Sequence, residues 1–566
     1  MEEFTNEYEE LSKERKELQE GGLLPKWYTT GGYQLLKSKY LEEGETPFER
    51  YSNVAYTAAQ YTNDPNYWAE RFFDVMWKGW LSPATPVLSN MGTDKGMVVS
   101  CSGNYVGDSV HEFYYGQVET AVLTQNGFGT SSYFGDIRPR GSKISSGGKA
   151  SGVLPVLKDY VQLSRDITQG NNRRGAWAGY YPIDGKDFYE VADYLFHYPD
   201  DVNIGWVWSK EFKKRLDKGD EDAVKRYQRM MKVRAVTGKG YVFKKWTVDE
   251  NRPQMYKDLG LDVKASNLCT EILLHSSEEL TFTCVLSSMN LYYWDEWKDT
   301  DAVEVATRFL DCVCEDFIQK GSKVKGLDKA VEFTRKGRAL GLGVLGFHSY
   351  LQEHMIPFES FEAHNINNQM FRKIGKDALK ASQELAQELG EPEWCVGYGV
   401  RNTHRTAIAP TMSTSLLCGG LSQGIEPVVM NVYTQTTAGG GVSRINPVLL
   451  NLMKERGVYS GETIQDIRDN YGSVQHVGWL SDEEKLVFKT AFEIDQAAIL
   501  RLASVRQTQL CQTQSLNLFF AAEEEEQYIS QIMREFIEDE NLPTLYYQRG
   551  QAGVKASKGE CLACHA

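Results

Sequence analysis

The chain has 566 residues, of which 41% are hydrophobic and 12% aromatic, and its formal net charge at pH 7 is −15. This composition builds a sizeable core and excludes a wholly disordered protein. The negative charge argues against nonspecific binding to nucleic acid or to an anionic membrane, so we expect neither partner. The acidic start is not a signal peptide, and the sequence has no apolar run long enough to cross a bilayer. We therefore expect a cytoplasmic protein.

Three segments follow from the pattern along the chain. Residues 1–47 carry charged helical repeats and predict a helical lead-in. Residues 48–545 alternate short apolar stretches with longer amphipathic ones, such as 371–389 and 482–502, which predicts an α/β architecture with helices outside a sheet or barrel. Residues 546–566 begin with two tyrosines and continue as a polar stretch, 548–560, which predicts a flexible C-terminal tail.

Ten cysteines in a reducing compartment are expected to be mostly free thiols. Cys101 and Cys284 lie in short β-prone segments, and two buried strand cysteines are the simplest interpretation of them. Their separation in sequence does not fix their separation in space. Five further cysteines in apolar or mixed surroundings are interpreted as core or incidental residues: Cys312, Cys314, Cys395, Cys418 and Cys511.

Residues 267–271 place an amide, a thiol and a carboxylate at alternate positions. In an extended segment the side chains of Asn267, Cys269 and Glu271 would project to one side. A tight loop tip would present them together equally well. Either arrangement supplies a sulfur for one-electron or nucleophilic chemistry, a base beside it and an orienting amide. For any single cysteine, a small buried apolar residue is the alternative interpretation.

Two later segments are candidates for binding phosphate. Residues 341–346 match the spacing G-x-G-x-x-G, but without a well-placed acidic residue downstream we favour close backbone packing over nucleotide binding. Residues 407–415 read as an apolar strand that ends in a hydroxyl-rich turn, which would offer N–H groups and hydroxyls to a phosphate. A helix cap without a ligand explains this second segment equally well.

Charged and aromatic residues near other turns leave alternatives open. Residues 169–175 combine a flexible backbone with two arginines, and Arg138 together with Asp108 could form a second anion site. A solvated surface charge is the alternative for each. Tyr546 and Tyr547 stand just before the tail, where ordinary aromatic packing also explains them.

The tail ends in Cys561 and Cys564, followed by His565. The string matches the haem-attachment pattern C-x-x-C-H, but a flexible tail offers no packed haem pocket. A structural zinc ion requires four ligands, and the sequence has no second cysteine pair of suitable spacing. A dithiol that exchanges with another disulfide is therefore the favoured interpretation.

Taken together, these motifs resemble the large catalytic (alpha) subunit of ribonucleotide reductase. The resemblance runs from about residue 48 to the C-terminus and rests on the order of several separated segments: 82–86, 267–271, 341–348, 409–415, 514–517 and 546–547. It implies a ten-stranded α/β barrel with a central finger loop, preceded by a short helical segment. The implied reaction is the reduction of ribonucleotides to 2′-deoxyribonucleotides for DNA synthesis.

The resemblance also implies roles for the reactive residues. Cys269 corresponds to the thiyl radical that removes the ribose 3′ hydrogen, Glu271 to the general base for the 3′-hydroxyl, and Asn267 to the residue that orients the sugar. Cys101 and Cys284 correspond to the dithiol that is oxidised as the 2′-hydroxyl leaves. Cys561 and Cys564 would then reduce that disulfide and be reset by a thioredoxin or glutaredoxin.

Nucleotide binding is implied at two sites. The substrate-binding residues implied by the motifs are Thr85, Ser100, Pro410, Thr411, Met412, Ser413, Thr414 and Ser415. The implied residues for a dNTP or ATP effector that selects the substrate are Asp108, Arg138, Gln169 and Arg173. Ser145 stands where a phosphate-binding arginine is common in the family, and Met412 where glutamate is common, so effector contacts and proton handling at the 2′ carbon are expected to differ.

Adjacent phenols at Tyr546 and Tyr547 favour class I, in which a separate small subunit with a metal cofactor supplies the radical. We therefore expect no cofactor and no metal bound in this chain, a small-subunit partner, a homodimer and diphosphate substrates. A cobalamin-dependent class II enzyme is the alternative. The chain start offers no room for the N-terminal ATP cone of many relatives, so we expect no inhibition by dATP through such a domain.

Two other classes of protein account for fewer of these motifs. A glycyl-radical enzyme would share a barrel cysteine but does not account for the tyrosine pair and the C-x-x-C tail. A redox-sensing or metal-binding interaction protein would use Cys561, Cys564 and His565 alone, and would leave residues 267–271 and the phosphate-type turns unexplained.

Overall fold

The computed structural model describes residues 2–169, 173–174, 176–437 and 440–551, without the side chains of 2–7, 168–169, 173–174, 434–437 and 440–443. None of the helices in these ranges is long and apolar enough to span a membrane. The α-helices are α1 Glu2–Glu20, α2 Thr30–Lys39, α3 Pro47–Ala59, α4 Pro65–Trp77, α5 Thr85–Asn90, α6 Val110–Gln125, α7 Val153–Asp166, α8 Phe188–His197, α9 Lys210–Asp217, α10 Glu221–Thr237, α11 Lys245–Asn251, α12 Gln254–Asp258, α13 Trp294–Trp297, α14 Ala302–Gly321, α15 Asp328–Gly337, α16 Phe347–Glu353, α17 Phe361–Leu389, α18 Met412–Leu417, α19 Pro447–Glu455, α20 Gly461–Asp469, α21 Asp482–Val487, α22 Gln496–Gln507 and α23 Glu526–Glu538. Short 3-10 helices span Leu291–Tyr293 and Glu393–Cys395.

Helices α1 to α4 precede the first strand of the sheet. Helix α3 begins with a capping box: Thr46 Oγ1 accepts a hydrogen bond from the Glu49 amide, and the Glu49 carboxylate accepts one from the Thr46 amide. Its first residue is Pro47, which has no N–H to leave unpaired. The predicted end of the lead-in at residue 47 therefore coincides with a helix start, and helical structure continues to Trp77.

The strands carry the functional residues toward the middle of the molecule. They are β1 Leu81–Pro83, β2 Cys101–Tyr105, β3 Gly129–Tyr133, β4 Thr168–Gln169, β5 Arg173–Arg174, β6 Trp177–Pro182, β7 Ile204–Trp208, β8 Tyr241–Lys244, β9 Phe282–Asn290, β10 Leu340–Leu345, β11 Val432–Thr437, β12 Gly440–Ile445, β13 Leu518–Phe520, β14 Thr544–Leu545 and β15 Gln548–Gly550. Within the described ranges, nine of them form one sheet in the order β1-β9-β2-β3-β6-β7-β8-β14, with β10 paired to β9.

One half of this sheet is parallel throughout. Strands β2, β3, β6, β7 and β8 run in the same direction, and β7 and β8 are buried at every position. Burial on both faces is typical of parallel strands covered by helices. Strands β9 and β14 flank this half on its two sides, and both run antiparallel to it.

A second parallel half begins with β9 and β10 and continues through shorter contacts. Leu342 in β10 bridges in parallel to Thr406, and Ile408 bridges in parallel to Gln514. The ring closes where the Tyr546 amide, just after β14, donates to the Leu516 carbonyl. The ten-stranded barrel expected from the sequence is therefore confirmed. Two of its strand positions, at residues 406–408 and around residue 514, are joined by isolated bridges and are not full strands.

Glycines in β10 allow the neighbouring barrel strands to approach closely. A Cβ atom at Gly341 would lie 2.2 Å from Leu286 Cδ2 and 3.1 Å from Cys284 Sγ. A Cβ atom at Gly343 would lie 2.4 Å from the Ala407 carbonyl oxygen. The glycine-rich segment therefore serves close packing, as predicted, and lies in a strand rather than in a nucleotide-binding turn.

A loop of residues 259–281 joins α12 to β9 and enters the barrel. Ser131 in β3 donates through Oγ to the Ser266 carbonyl, and the Thr513 amide donates to the Glu271 carbonyl. The Leu273 amide donates to Gln512 Oε1. Because these contacts come from both parallel halves, the loop is held inside the barrel as the predicted central finger.

The predicted amphipathic helices are only partly correct. Helix α17 contains all of 371–389 but begins ten residues earlier in the chain, at Phe361. Segment 482–502 is not one helix, because α21 ends at Val487 and α22 begins at Gln496. Between them the Ala491 amide donates to the Val428 carbonyl, and Asp495 caps α22. These hydrogen bonds end one helix and begin the next, although the sequence pattern alone predicts a continuous helix.

Candidate active site

The tip of the finger loop gathers three of the predicted catalytic side chains. The chain turns back at residues 268–270, where the Thr270 amide donates to the Asn267 carbonyl at 3.3 Å. Thr270 has φ +65°, a left-handed conformation that is strained for a β-branched residue. The extended interpretation of this segment is therefore wrong, and the alternative of a tight loop tip is confirmed.

Hydrogen bonds from the barrel wall fix this tip. The Tyr180 hydroxyl of β6 donates to the Asn267 carbonyl at 2.6 Å. Ser515 Oγ donates to the Cys269 carbonyl at 2.5 Å and lies 3.4 Å from Glu271 Oε2. Asn267 and Glu271 are almost fully buried, whereas Cys269 keeps partial exposure. The strained turn is therefore held by side chains from two different parts of the barrel.

Cys101 and Cys284 are brought together by strand pairing. They are direct partners in the antiparallel register of β2 and β9, and both are buried free thiols. Opposed residues of an antiparallel pair have Cα atoms about 4.5–5.5 Å apart, a separation that a disulfide also spans. The two cysteines are buried in strands, as interpreted from the sequence. The register of β2 and β9 shows in addition that they face each other as one dithiol pair.

The finger loop and the dithiol meet directly. Asn267 Nδ2 donates to Cys101 Sγ at 3.2 Å, and the Cys101 thiol donates to Glu271 Oε1 at 3.8 Å. On the other side Gln512 Nε2 donates to Cys284 Sγ at 3.5 Å. These five residues, separated by up to 411 positions in the chain (101 to 512), thus form one cluster around the loop tip.

Burial sets the acidity of this cluster. Desolvation raises the pKa of Glu271 to about 7, although hydrogen bonds from Asn267 and Ser515 oppose the shift. Burial also raises the pKa of Cys284 to about 12. The pKa of Cys101 lies well above its usual value, because of burial first and the Glu271 charge second. At neutral pH the two thiols are therefore protonated, while the carboxyl group is poised between its acid and base forms.

Tyr546 and Tyr547 lie in the same apolar cluster as the three cysteines. Their ring centroids are 4.1 Å apart, and both side chains are buried. The Tyr547 amide donates to Asn517 Oδ1, and the Tyr546 carbonyl accepts from Arg234. The pair is therefore held rigidly in the barrel wall between β14 and β15.

The hydroxyl-rich segment turns at Thr411, which has φ +55° and precedes α18. Its Oγ1 accepts from the Gly424 amide at 2.7 Å. The predicted phosphate-binding residues divide by exposure: Thr414 and Ser415 are buried, while Pro410, Thr411, Met412 and Ser413 are partly exposed. The segment therefore leaves its first residues partly accessible and packs its last ones.

Two further predicted substrate residues lie on separate elements. Ser100 directly precedes Cys101 and is 8% exposed, and its hydroxyl finds no hydrogen-bond partner among the described residues. Thr85 begins α5, and its Oγ1 is 3.0 Å from the Tyr40 hydroxyl. Ser100 is thus a buried hydroxyl beside the dithiol with hydrogen-bonding capacity to spare.

The predicted effector residues are described in part. Arg138 Nε donates to Asp108 Oδ2 at 2.6 Å, and the Arg138 amide donates to Asp108 Oδ1. The side chains of Gln169 and Arg173 lie outside the described residues. The tail thiols Cys561 and Cys564 also lie outside them.

Comparison with known proteins accounts for this arrangement. The family model "Ribonucleotide reductase, barrel domain" matches residues 99–194, 194–395 and 393–547, and the model "Ribonucleotide reductase, all-alpha domain" matches residues 26–96. The chain belongs to the ribonucleotide reductase large-subunit family. The barrel model covers the finger loop, the dithiol strands and the tyrosine pair, so the predicted resemblance is confirmed.

Individual relatives of this reductase chain span most of its length. A relative from Frog virus 3 is 32% identical over 540 residues, which are 90% of this chain and 94% of the relative. The ribonucleoside-diphosphate reductase large subunit of Invertebrate iridescent virus 3 is 31% identical over 611 residues, 93% of this chain and 94% of the relative. The structure of the Actinobacillus ureae class Id ribonucleotide reductase alpha subunit has a TM-score of 0.86 and 38% identity, covering 94% of this chain and 99% of that one.

Three residues with contacts at the site were not assigned from the sequence: Gln512, Ser515 and Tyr180. Gln512 joins Cys284 Sγ, the Leu340 carbonyl and the Leu273 amide through one side-chain amide. Ser515 and Tyr180 hold the loop tip. Ser515 lies in a quoted motif, and Gln512 just before it, so their neighbourhood was a usable signal. Tyr180 gave no signal, because its partner is a backbone carbonyl far away in the chain.

Proposed function

We propose that this chain is the catalytic subunit of a class I ribonucleoside-diphosphate reductase. The observation that carries the proposal is the cluster at the loop tip, where Cys269 and Glu271 adjoin the dithiol Cys101 and Cys284. A radical thiol, a base and a two-electron reductant are the three groups that replacement of a 2′-hydroxyl by hydrogen requires. The relatives named above as ribonucleoside-diphosphate reductases support the diphosphate substrate.

The first step is hydrogen transfer to a Cys269 thiyl radical. The C3′–H bond of the ribose breaks and an S–H bond forms, leaving the unpaired electron on C3′. Glu271 takes the 3′-hydroxyl proton, and a pKa of about 7 suits a base that must exchange protons near neutral pH. Asn267 holds its amide between the loop and Cys101, where it orients the sugar.

The second step uses the dithiol. The 2′-hydroxyl leaves as water with a proton from one of the two thiols. The hydrogen of the other thiol forms the new C2′–H bond, the two sulfurs of Cys101 and Cys284 join in a disulfide, and Glu271 returns the 3′-hydroxyl proton. Cys269 then returns a hydrogen atom to C3′ and is again a thiyl radical. High thiol pKa values keep both sulfurs protonated and able to donate hydrogen until this moment. The sum is one ribonucleotide and two thiols giving one deoxyribonucleotide, one disulfide and one water.

Radical supply rests on Tyr546 and Tyr547. Two phenols with ring centroids 4.1 Å apart form a short route for an electron and a proton through the barrel wall. In this proposal the radical comes from a metal cofactor in a separate small subunit and reaches Cys269 through the pair. The likeness to a class Id alpha subunit favours this arrangement over a cobalamin-dependent class II enzyme.

The remaining roles follow from the same proposal. The substrate phosphates bind at the turn that begins with Pro410 and Thr411, with Ser100 and Thr85 beside the sugar. A dNTP binds near Asp108 and Arg138, with Gln169 and Arg173, and selects the substrate in a homodimer. The segment 546–566 starts with the radical-transfer tyrosines in the barrel wall and ends in a reducing tail, whose Cys561 and Cys564 exchange with the dithiol and with a thioredoxin or glutaredoxin.

The test is conversion of ribonucleoside diphosphates by the full chain with candidate small subunits, measured across four substrates and four effectors. We expect turnover that disappears in Cys269→Ser. Cys312→Ser is the matched control, because Cys312 is a buried thiol on α14 and belongs to the main apolar core, not to the cluster that contains the loop tip. Activity that survives Cys269→Ser would contradict the radical mechanism.

Class I and class II are separated by a second assay. Tyr546→Phe keeps the ring but removes the phenolic hydrogen, so a class I relay loses turnover while substrate binding remains. The cobalamin alternative predicts unchanged turnover in this variant, and activity with adenosylcobalamin in the absence of any small subunit.

A further inference from the structure

A third buried tyrosine touches both members of the tyrosine pair. Tyr241 is the first residue of β8 and is fully buried. Its hydroxyl donates to the Tyr547 hydroxyl at 3.0 Å. Its ring centroid lies 4.7 Å from that of Tyr546 and 5.2 Å from that of Tyr547. The three phenols therefore form one aromatic cluster.

Strand pairing fixes this contact. Strand β14 pairs antiparallel with β8, with Thr544 opposite Phe243 and Leu545 opposite Val242. Continuing this register by one residue brings the chain at Tyr546 beside Tyr241. Arg234 reinforces the arrangement by donating through Nη1 to the Tyr546 carbonyl. The position of Tyr241 relative to Tyr546 is thus set by the pairing of β8 with β14.

The surroundings of Tyr241 connect the pair to the finger loop. Burial and the neighbouring Tyr547 raise its pKa well above the usual value, and the charge of a Cys269 thiolate would raise it further. Tyr180, whose hydroxyl holds the loop tip, also contributes to this shift. Tyr241 therefore remains a protonated hydrogen-bond donor at every physiological pH and lies within electrostatic reach of the radical cysteine.

We propose that Tyr241 is a positioning residue for radical transfer, which holds the Tyr547 oxygen by a donated hydrogen bond and packs against both phenol rings. The inference rests on the proposed function, because it assumes that Tyr547 is oxidised. When Tyr547 passes its electron and its phenolic proton to the oxidant of the small subunit, its oxygen keeps the hydrogen bond from Tyr241. Tyr241 itself is neither oxidised nor deprotonated.

The direction of the hydrogen bond is the reason for this role. A hydroxyl that donates to Tyr547 cannot at the same time accept the Tyr547 proton along the same contact, so it leaves the proton free to follow the electron. Electron and proton transfer both depend steeply on the distance and angle between the phenols. Removing a donor that fixes one of them is therefore expected to slow transfer without disturbing the substrate site.

The experiment compares Tyr241→Phe with Tyr51→Phe in the full chain with its small subunit. Tyr51 is the matched control, because its buried hydroxyl makes a phenol–phenol hydrogen bond of 2.7 Å to Tyr28 in the helical region. We expect Tyr241→Phe to lower kcat about tenfold, the factor expected for one buried hydrogen bond, with KM for the ribonucleotide unchanged. Tyr51→Phe should keep the kcat of the wild type.

A spectroscopic measurement covers the case in which Tyr241→Phe folds poorly. Tyr547 is replaced by 3-aminotyrosine to trap the radical, and the g tensor is read by high-field electron paramagnetic resonance. The largest g value falls when the radical oxygen accepts a hydrogen bond, so we expect it to rise in Tyr241→Phe. A second variant carries 3,5-difluorotyrosine at position 241, a stronger donor of similar size, and should lower the same value while keeping turnover.

The outcomes separate this inference from the proposed function. If Tyr547→Phe retains full turnover, the radical relay itself is wrong. If Tyr547→Phe is inactive while Tyr241→Phe matches Tyr51→Phe in kcat, and the g tensor at position 547 is unchanged in both position-241 variants, the relay stands and the role of Tyr241 is overturned.

Discussion

Two cysteine pairs in this protein look alike by burial and differ in what surrounds them. Cys101 and Cys284 face each other across β2 and β9, and Cys312 and Cys314 lie two residues apart on α14. All four are buried free thiols, and burial raises the pKa of each. Neither burial nor acidity therefore distinguishes a reactive cysteine from a structural one.

The difference lies in the partners of the sulfurs. Cys101 contacts the Asn267 amide and the Glu271 carboxyl group, and Cys284 contacts the Gln512 amide. The helical pair lies in the main core, where Cys314 Sγ is 3.9 Å from the Ala339 carbonyl, and among the described residues neither sulfur has a hydrogen bond to a side-chain amide or carboxyl group. A buried thiol with side-chain hydrogen-bond partners and an opposed second thiol is arranged for chemistry, whereas one without either fills space in the core.

Replacing a thiol of the strand pair, Cys101 and Cys284, should lower turnover more than any other change described below. Cys101→Ser removes one of the two reducing sulfurs, so steady-state formation of deoxyribonucleotide should fall by at least about 1000-fold. The assay is product formation with thioredoxin or a small dithiol as the reductant. Turnover above a tenth of the wild-type rate would show that Cys101 is not one of the reducing thiols.

Glu271→Gln tests the base beside the strand pair and should lower kcat/KM by about 100-fold or more. The base is the carboxylate, and burial raises its pKa to about 7, so kcat/KM of the wild type should rise with pH through that value and then level off. The variant should lose this rising limb. The raised pKa also means that the folded chain holds this proton more tightly than the unfolded chain, so this group lowers stability as pH rises from about 4.5 to 7. A variant that keeps the wild-type pH profile would contradict the assignment.

Gln512→Ala tests the polar surroundings of the thiols separately, because it removes one polar partner and leaves both thiols in place. The variant loses the hydrogen bonds to Cys284 Sγ and to the Leu273 amide, so kcat should fall about tenfold. The matched control is Gln475→Ala, because Gln475 is exposed and contacts a backbone carbonyl elsewhere. Equal kcat in the two variants would show that the thiol does not depend on its amide partner.

The smallest effect on activity is expected at the helical pair. Cys314→Ser places a hydroxyl in an apolar site and should lower the free energy of unfolding by about 1–2 kcal/mol, with kcat within twofold of the wild type. Thermal or denaturant unfolding and the same turnover assay check both parts. A large loss of turnover in a folded Cys314→Ser protein would mean that the second pair also takes part in the reaction.

The sequence motifs predicted more of the site than of the fold. Asn267, Cys269 and Glu271 could be predicted as site residues because all three belong to one short sequence motif. The strained turn at Thr270 was only one of two alternatives, since a left-handed φ at a threonine depends on contacts such as the Ser515 bond to the loop. The break between α21 and α22 and the contact of Tyr241 with Tyr547 depend on distant partners and carry no local signal.

The most direct test of the account is the chemical state of the cysteines after one round of reaction. The fully reduced chain and its small subunit are given substrate and effector without external reductant, with the tail cysteines Cys561 and Cys564 both replaced by serine. The account predicts about one deoxyribonucleotide per active chain and, by peptide mass spectrometry, an equal amount of Cys101–Cys284 disulfide with Cys312 and Cys314 still free. Product formed while Cys101 and Cys284 remain reduced would contradict it.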